Sequence, residues 1–146
     1  MLLPHGTLIL VMDGGALRLL RNAGLETAPR LELVASRTFA VSAAHKFQGG
    51  RPVRVFESVG PVRHGVEAPP WQRRGEEEFA AGACALLLKH LSTGPGLVVI
   101  APPRMLGALR AAYPREIADH VTAEVGKDWT HHQPAEIGRM LQRHRD

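Results

Sequence analysis

The stretch TLILVMDGGALRLLR, Thr7–Arg21, contains the strongest fold signal in this chain of 146 residues. Thr7–Met12 is a short, nearly continuous apolar run, which is typical of a buried strand. The tripeptide Asp13–Gly15 follows, and an Asp-Gly pair between apolar runs is a strong signal for a tight turn. Ala16–Arg21 fits a returning strand, so the stretch predicts a β-hairpin.

A third strand is predicted beyond the hairpin, at Arg30–Phe39. We expect Leu31, Leu33 and Ala35 to share one face of this strand, because side chains alternate across a sheet. The chain would then open with an antiparallel meander.

The clearest helix signal is EEEFAAGACALLLKHL, Glu76–Leu91. Three glutamates occupy the predicted first turn, where the helix dipole favours negative charge. Small residues dominate one face, which also contains Cys84, so this helix can pack closely on a sheet. A buried, inert thiol is the expectation for Cys84, since no activating partner is visible.

The rest of the chain alternates between the two element types. It predicts a strand within Gly96–Pro103, a helix from Pro103 to Tyr113, a strand at Val121–Val125 and an amphipathic helix at Pro134–His144. The predicted order is β-β-β-α-β-α-β-α, which implies a mixed α/β fold with helices packed on one mixed sheet. We expect a single domain over residues 1–146.

Composition limits the classes of protein to consider. The content of 45% hydrophobic residues is that of a globular domain, and the one cysteine excludes an internal disulfide. The N-terminus lacks the features of a signal peptide, and no apolar run approaches the length of a membrane span. These observations predict a cytoplasmic protein with no membrane span.

Residues 40–75 lose all periodicity and contain many glycines and prolines, which predicts a long loop. The surrounding segment Arg37–Arg74 contains seven arginines and lysines but only two glutamates, a net charge of +5 that exceeds the +4 of the whole chain. A concentrated basic segment indicates an anionic partner such as nucleic acid. The alternative is a solvated loop that keeps the protein soluble.

The sequence lacks the motifs of hydrolases, dinucleotide-binding proteins, P-loop enzymes and zinc proteases. Their absence favours a non-catalytic protein but does not decide whether the protein is an enzyme. Asp13 follows the first strand, where a metal-binding carboxylate is one interpretation and a tight turn is the other. His64 lies beside Arg63, which favours a neutral imidazole, but no partner is identifiable. The adjacent His131 and His132 give a weak metal signal. We predict no metal and no cofactor.

Arg104 follows the predicted strand that ends near Pro103. Ligands of open α/β sheets bind beyond the carboxyl ends of the strands, and a helix N-terminus favours anions. Arg104 is therefore a candidate anion contact. The competing interpretation is plain helix packing, with Gly107 allowing a close approach.

Several of these pieces together resemble a known family. They are VMDGGALRLLR, GGRPVRVFESVGPVRHGVE, EEEFAAGACALLLKHL, VVIAPPRMLGALR and EVGKDWTHHQPAEIGRML, and they span nearly the whole chain. In this order they resemble the host attachment protein family of bacteria, described as proteins required for attachment to host cells. That family is similar to the middle domain of archaeal and eukaryotic peptide-chain release factors, which implies a ribonuclease-H-like mixed sheet.

The release factors use a Gly-Gly-Gln tripeptide on the loop that corresponds to residues 40–75. Here the order is reversed, as Gln48-Gly49-Gly50, so the hydrolytic role does not transfer. The resemblance implies RNA or ribosome contact through the basic loop. The expected anion contacts are Arg51, Arg54, Arg63, His64 and Arg104, and the residues expected to order the loop are Phe56, Glu57 and Ser58. Alternatives are an attachment factor acting through protein partners and a hydrolase acting on RNA or a phosphoester.

Overall fold

The computed structural model of the protein describes residues 1–38, 70–91 and 94–144. In these ranges the chain forms five strands and four helices. They are β1 (Leu8–Met12), β2 (Ala16–Asn22), β3 (Leu31–Thr38), α1 (Pro70–His90), β4 (Leu97–Ile100), α2 (Pro103–Ala112), α3 (Arg115–His120), β5 (Val121–Val125) and α4 (Pro134–Arg143).

The five strands form one sheet in the order β3-β2-β1-β4-β5. β1 pairs antiparallel with β2, and β2 pairs antiparallel with β3. β1 also pairs parallel with β4, and β4 pairs parallel with β5. The predicted mixed α/β fold of ribonuclease-H-like type is therefore confirmed, with β1 at the centre of the sheet.

Both faces of the sheet are covered, which explains why β1 reads as a continuous apolar run. All five residues of β1 are buried. Leu8, Leu10 and Met12 belong to the larger core cluster, together with the inward side chains of α1, α2 and α3. Ile9 and Val11 point to the opposite face and join a second cluster with α4. The central strand thus contributes alternate side chains to two cores.

The face predicted for β3 is wrong, because a bulge interrupts its pairing with β2. Leu19 pairs with Ala35, but the next residue of β2 pairs with Leu33, which leaves Val34 as an extra residue. An extra residue on one strand shifts the alternation of side chains. Leu31 is buried in the cluster with α4, Val34 and Ala35 pack on the cluster with α1, and Leu33 is 57% exposed.

The start of α1 also differs from the prediction. The helix begins at Pro70, six residues before Glu76, and continues through Gly75. Its first turn contains no acidic residue, so the expected match between three glutamates and the helix dipole is wrong. The inward face is as predicted, and Cys84 is a buried free cysteine whose pKa is raised by burial. No helix among the described residues could span a membrane.

Asn22, at the end of β2, is fully buried and organises the next loop. Its Oδ1 accepts hydrogen bonds from the backbone N–H groups of Gly24 and Arg30, at 2.8 and 2.9 Å. Its Nδ2 donates to the carbonyl oxygen of Leu3 at 2.7 Å and more weakly to that of Leu25 at 3.3 Å. One side chain therefore satisfies the backbone of the turn that links β2 to β3.

Candidate functional site

The parallel strands β1, β4 and β5 all end at one edge of the sheet, at Met12, Ile100 and Val125. We call this the carboxyl edge. Asp13 follows β1, the N-terminus of α2 follows β4, and residues 126–133 connect β5 to α4. Edges of this kind are where open α/β sheets bind their ligands, because loops rather than paired strands line them.

Asp13 closes the hairpin, as the turn interpretation predicts. Its Oδ1 accepts hydrogen bonds from the backbone N–H groups of Gly15 and Ala16, at 2.7 and 2.9 Å. Its own N–H donates to the carbonyl oxygen of Ala16 at 3.0 Å. The other carboxylate oxygen, Oδ2, faces the loop 126–133, where the hydroxyl of Thr130 lies 3.1 Å away. The turn therefore occupies only one of the two carboxylate oxygens.

Thr130 lies between two carboxylates. Its hydroxyl oxygen is 2.5 Å from Oδ1 of Asp128 as well as 3.1 Å from Oδ2 of Asp13. A threonine hydroxyl has a single proton, so it donates to one of these oxygens at a time. The bond to Asp128, together with the Thr130 N–H at 3.1 Å, lowers the pKa of the Asp128 carboxyl from its ordinary value.

Arg18 of β2 holds the loop 126–133 in place. Its Nη2 donates to the carbonyl oxygens of Thr130 and His132, each at 2.7 Å, and lies 3.5 Å from that of Trp129. These contacts join positions more than 110 residues apart in the chain. Because the guanidinium is charged and planar, it can fix several carbonyl groups at once.

Three potential metal ligands meet at this point of the carboxyl edge. Ligand atoms of Asp13, Asp128 and His131 all lie within 4.8 Å of one another. Asp13 is half-buried, and the other two residues are exposed. Asp128 and Thr130 are not among the site residues predicted from the sequence, although the rule that singled out the end of β4 applies equally to the end of β5. Asp128 also lies three residues before His131, and this usable ligand spacing is the sequence signal that identifies it.

The side chain of the neighbouring His132 lies against Glu136 and not against the two aspartates. The Nδ1 atom of His132 lies 3.5 Å from Oε1 of Glu136, on the first turn of α4. Glu136 also accepts the N–H of Gln133 at 3.0 Å, which closes a capping box. The pKa of Glu136 is lowered from its usual value, first by this backbone hydrogen bond. The two adjacent histidines therefore have different surroundings.

Arg104 lies at the N-terminus of α2, on the carboxyl edge, as expected. Its Nε donates to both carboxylate oxygens of Glu76 on α1, at 3.1 and 3.0 Å. The Arg104 side chain remains 44% exposed. The guanidinium of Arg104, a candidate anion contact, is therefore already paired with the carboxylate of Glu76. Gly107 is exposed, and an added Cβ there would meet no atom within 4 Å, so the predicted close packing at Gly107 is wrong.

The other predicted site residues lie outside the described residues. They are Arg51, Arg54, Phe56, Glu57, Ser58, Arg63 and His64. The structure therefore describes one of the five predicted anion contacts, Arg104, together with the residues on either side of the basic segment.

The strand order and the strand directions define a mixed α/β domain of the ribonuclease-H-like class. Residues 6–141 match the bacterial archaeo-eukaryotic release factor family 12, and the chain belongs to that family. The release-factor relationship that the sequence predicts is therefore confirmed.

Two further comparisons concern solved structures and curated proteins. Among solved structures, the chain is similar to the type II variant of the Ppx/GppA phosphatase of Aquifex aeolicus, at 12% sequence identity and a TM-score of 0.38. The match covers 82% of this chain and 34% of the phosphatase, so the chain spans about a third of that protein. No curated protein matches the chain.

Proposed function

We propose that this protein is a non-catalytic, release-factor-like domain that binds RNA or the ribosome through the basic segment Arg37–Arg74. The observation on which the proposal rests is the charge of that segment, +5 in a chain of net charge +4. Phosphate backbones attract such a concentration of arginines and lysines, and this term dominates affinity for nucleic acids. Membership of a release factor family supports a translation-related role.

The described residues on either side of the segment support this proposal. Thr38, the last residue of β3, pairs with Ala16, three residues after Asp13. On the other side, α1 begins six residues before Glu76, the partner of Arg104 at the carboxyl edge. Arg37 and Arg74 are exposed. The described residues that flank the segment therefore lie near the carboxyl edge.

Individual residues have distinct expected roles. Arg51, Arg54 and Arg63 would contact phosphate groups, and His64 would add a hydrogen bond. Arg104 would contribute less, because Glu76 already neutralises much of its charge. Phe56, Glu57 and Ser58 would order the segment. Hydrolysis is not part of the proposal, since Gln48-Gly49-Gly50 reverses the order of the release-factor tripeptide.

Co-sedimentation with ribosomes tests this function. The triple variant R51A/R54A/R63A removes three charges from the segment. The matched control R115A/R139A/R143A removes three exposed arginines from α3 and α4. We expect the first variant to lose ribosome and RNA binding and the control to retain most of it. Equal binding by both variants, or no sedimentation of the wild type at low salt, would contradict the proposal.

Two alternatives from the sequence remain predictions. An attachment factor acting through protein partners would be found outside intact cells and would bind no RNA. A hydrolase acting on RNA or a phosphoester would lose turnover when Asp13 or His64 is replaced by alanine. Cytoplasmic location likewise stays a prediction, which cell fractionation would test.

A further inference from the structure

We propose that Asp13, Asp128 and His131 together bind a divalent transition-metal ion at the carboxyl edge. The proposal is independent of RNA or ribosome binding. Its basis is the convergence of two carboxylates and one imidazole, with ligand atoms within 4.8 Å of one another. Asp13 is far from the other two residues in the chain, so the fold, not local sequence, brings the three together.

The charge around the cluster is unbalanced in a way that a cation would correct. Neither Asp13 nor Asp128 forms an ion pair with a lysine or arginine in the part of the chain that the structure describes. The nearby Arg18 directs its Nη2 to backbone carbonyls instead. Two carboxylates that share one hydroxyl repel each other, and an ion of charge +2 between them would remove that repulsion.

Local hydrogen bonds fix some ligand atoms and leave others available. The hairpin turn occupies Oδ1 of Asp13, and Thr130 occupies Oδ1 of Asp128. Oδ2 of Asp128 and the ring of His131 form no hydrogen bond to any residue within the described ranges. Among the described residues, Oδ2 of Asp13 contacts only the hydroxyl of Thr130, which has one proton for two carboxylates. The imidazole of His131 would supply a nitrogen ligand beside the two carboxylates.

The distances suit an ion after a small adjustment. Metal–ligand distances of roughly 2.0–2.2 Å allow two ligands of one ion to be at most about 4.4 Å apart. The observed limit of 4.8 Å exceeds this by a fraction of an ångström. Asp128 and His131 are exposed, so rotation of their side chains can supply the difference.

The ligand types select the class of metal. Carboxylates suit Mg²⁺ and Mn²⁺, and imidazole suits Zn²⁺ and other transition metals. A set of two carboxylates and one imidazole therefore favours Mn²⁺ or Zn²⁺ over Mg²⁺. Three protein ligands leave positions for water or another oxygen donor.

Mn²⁺ binding to the isolated full-length protein tests the proposal, without ribosomes or RNA. The ion broadens nearby NMR signals, so a titration reports both affinity and location. The variants D13N and D128N keep an oxygen that accepts the turn hydrogen bonds, and H131A removes the imidazole. Matched controls are H132A, whose ring faces Glu136, and D119N, an exposed carboxylate on α3.

We expect saturable broadening of the amide signals of Gly14, Gly15, Asp128 and His131. Each of the three ligand variants should weaken Mn²⁺ binding by about tenfold or more, and neither control should change it. Broadening centred elsewhere in the wild type would overturn the proposal, whether or not the variants fold. So would equal affinities in all variants, or a loss in H132A as large as in H131A. Failure of ribosome binding alone would leave this result unaffected.

Discussion

Replacing Arg18 by alanine should detach the loop 126–133 from β2. The guanidinium donates two hydrogen bonds of 2.7 Å, to Thr130 and His132, and the 3.5 Å contact with Trp129 adds little. Hydrogen bonds that involve a charged group contribute about 1.5–3 kcal/mol each. Arg18 is half-buried, so water can replace part of this. We therefore expect the free energy of unfolding to fall by about 2–3 kcal/mol.

Urea denaturation followed by circular dichroism measures this change. Arg21 provides the matched control, because it lies on the same strand and forms no hydrogen bond from its side chain to another described residue. R21A should lower the free energy of unfolding by under about 1 kcal/mol, because it removes no hydrogen bond to a described residue. Hydrogen exchange should also accelerate at His132, whose N–H bonds to Trp129. Equal losses in R18A and R21A, with unchanged exchange, would refute the role assigned to Arg18.

Three further predictions use the same measurements. Asn22→Ala should lower the free energy of unfolding by about 3–5 kcal/mol, because it leaves two backbone N–H groups and the Leu3 carbonyl without their partner; a loss below about 1 kcal/mol would contradict this. The second prediction compares two glycines: Gly107→Ala should stabilise the protein by about 0.5–1 kcal/mol, because α2 gains helix propensity and the added Cβ meets no atom within 4 Å. Gly24→Ala should instead destabilise it, since its Cβ would lie 2.6 Å from the carbonyl oxygen of Ala28. The third prediction concerns pH. The folded-state pKa of Asp128 lies below its unfolded value, so its ionised form stabilises the fold above about pH 4 and this contribution is lost as pH falls through the folded pKa. The amide side chain introduced by D128N does not titrate, so the difference in urea midpoint between wild type and D128N should shrink below about pH 4; a difference that is constant with pH would contradict the assignment.

The sequence predicted the sheet well because its strands have simple apolar patterns. β1 and β4 are short apolar runs, and the pattern of Thr7–Arg21 matches the observed hairpin. The face of β3 was not predictable, since a bulge at Val34 shifts the alternation and depends on pairing with β2. Local pattern does not contain that long-range pairing.

The helices show the same division between local and long-range information. The start of α1 was placed too late, because Gly75 and the prolines before it suggested a loop. The six-residue helix α3 was not predicted, because it has too few residues for its period to be recognised. The N-terminus of α2 was correct, since Pro103 lies in its first turn.

The candidate site was only partly predictable. Asp13 was recognised as a turn residue, and its second role toward Thr130 arises from a segment 117 residues away. Arg18 has no distinctive local pattern, and the only local signal of Asp128 is its spacing of three residues from His131. Their relevance follows from the parallel pairing of β1, β4 and β5, which brings the ends of these strands to one edge.

The dependence of RNA binding on salt tests the central claim most directly. Each phosphate contact releases counterions, so the logarithm of the binding constant falls with the logarithm of salt concentration by about 0.7–0.9 per contact. We predict strong, salt-dependent binding of the wild-type protein to ribosomal RNA, and a slope smaller by about 2–3 in R51A/R54A/R63A. A slope that is the same in that variant as in the wild type, or wild-type binding that does not change with salt, would contradict the claim that the basic segment binds RNA.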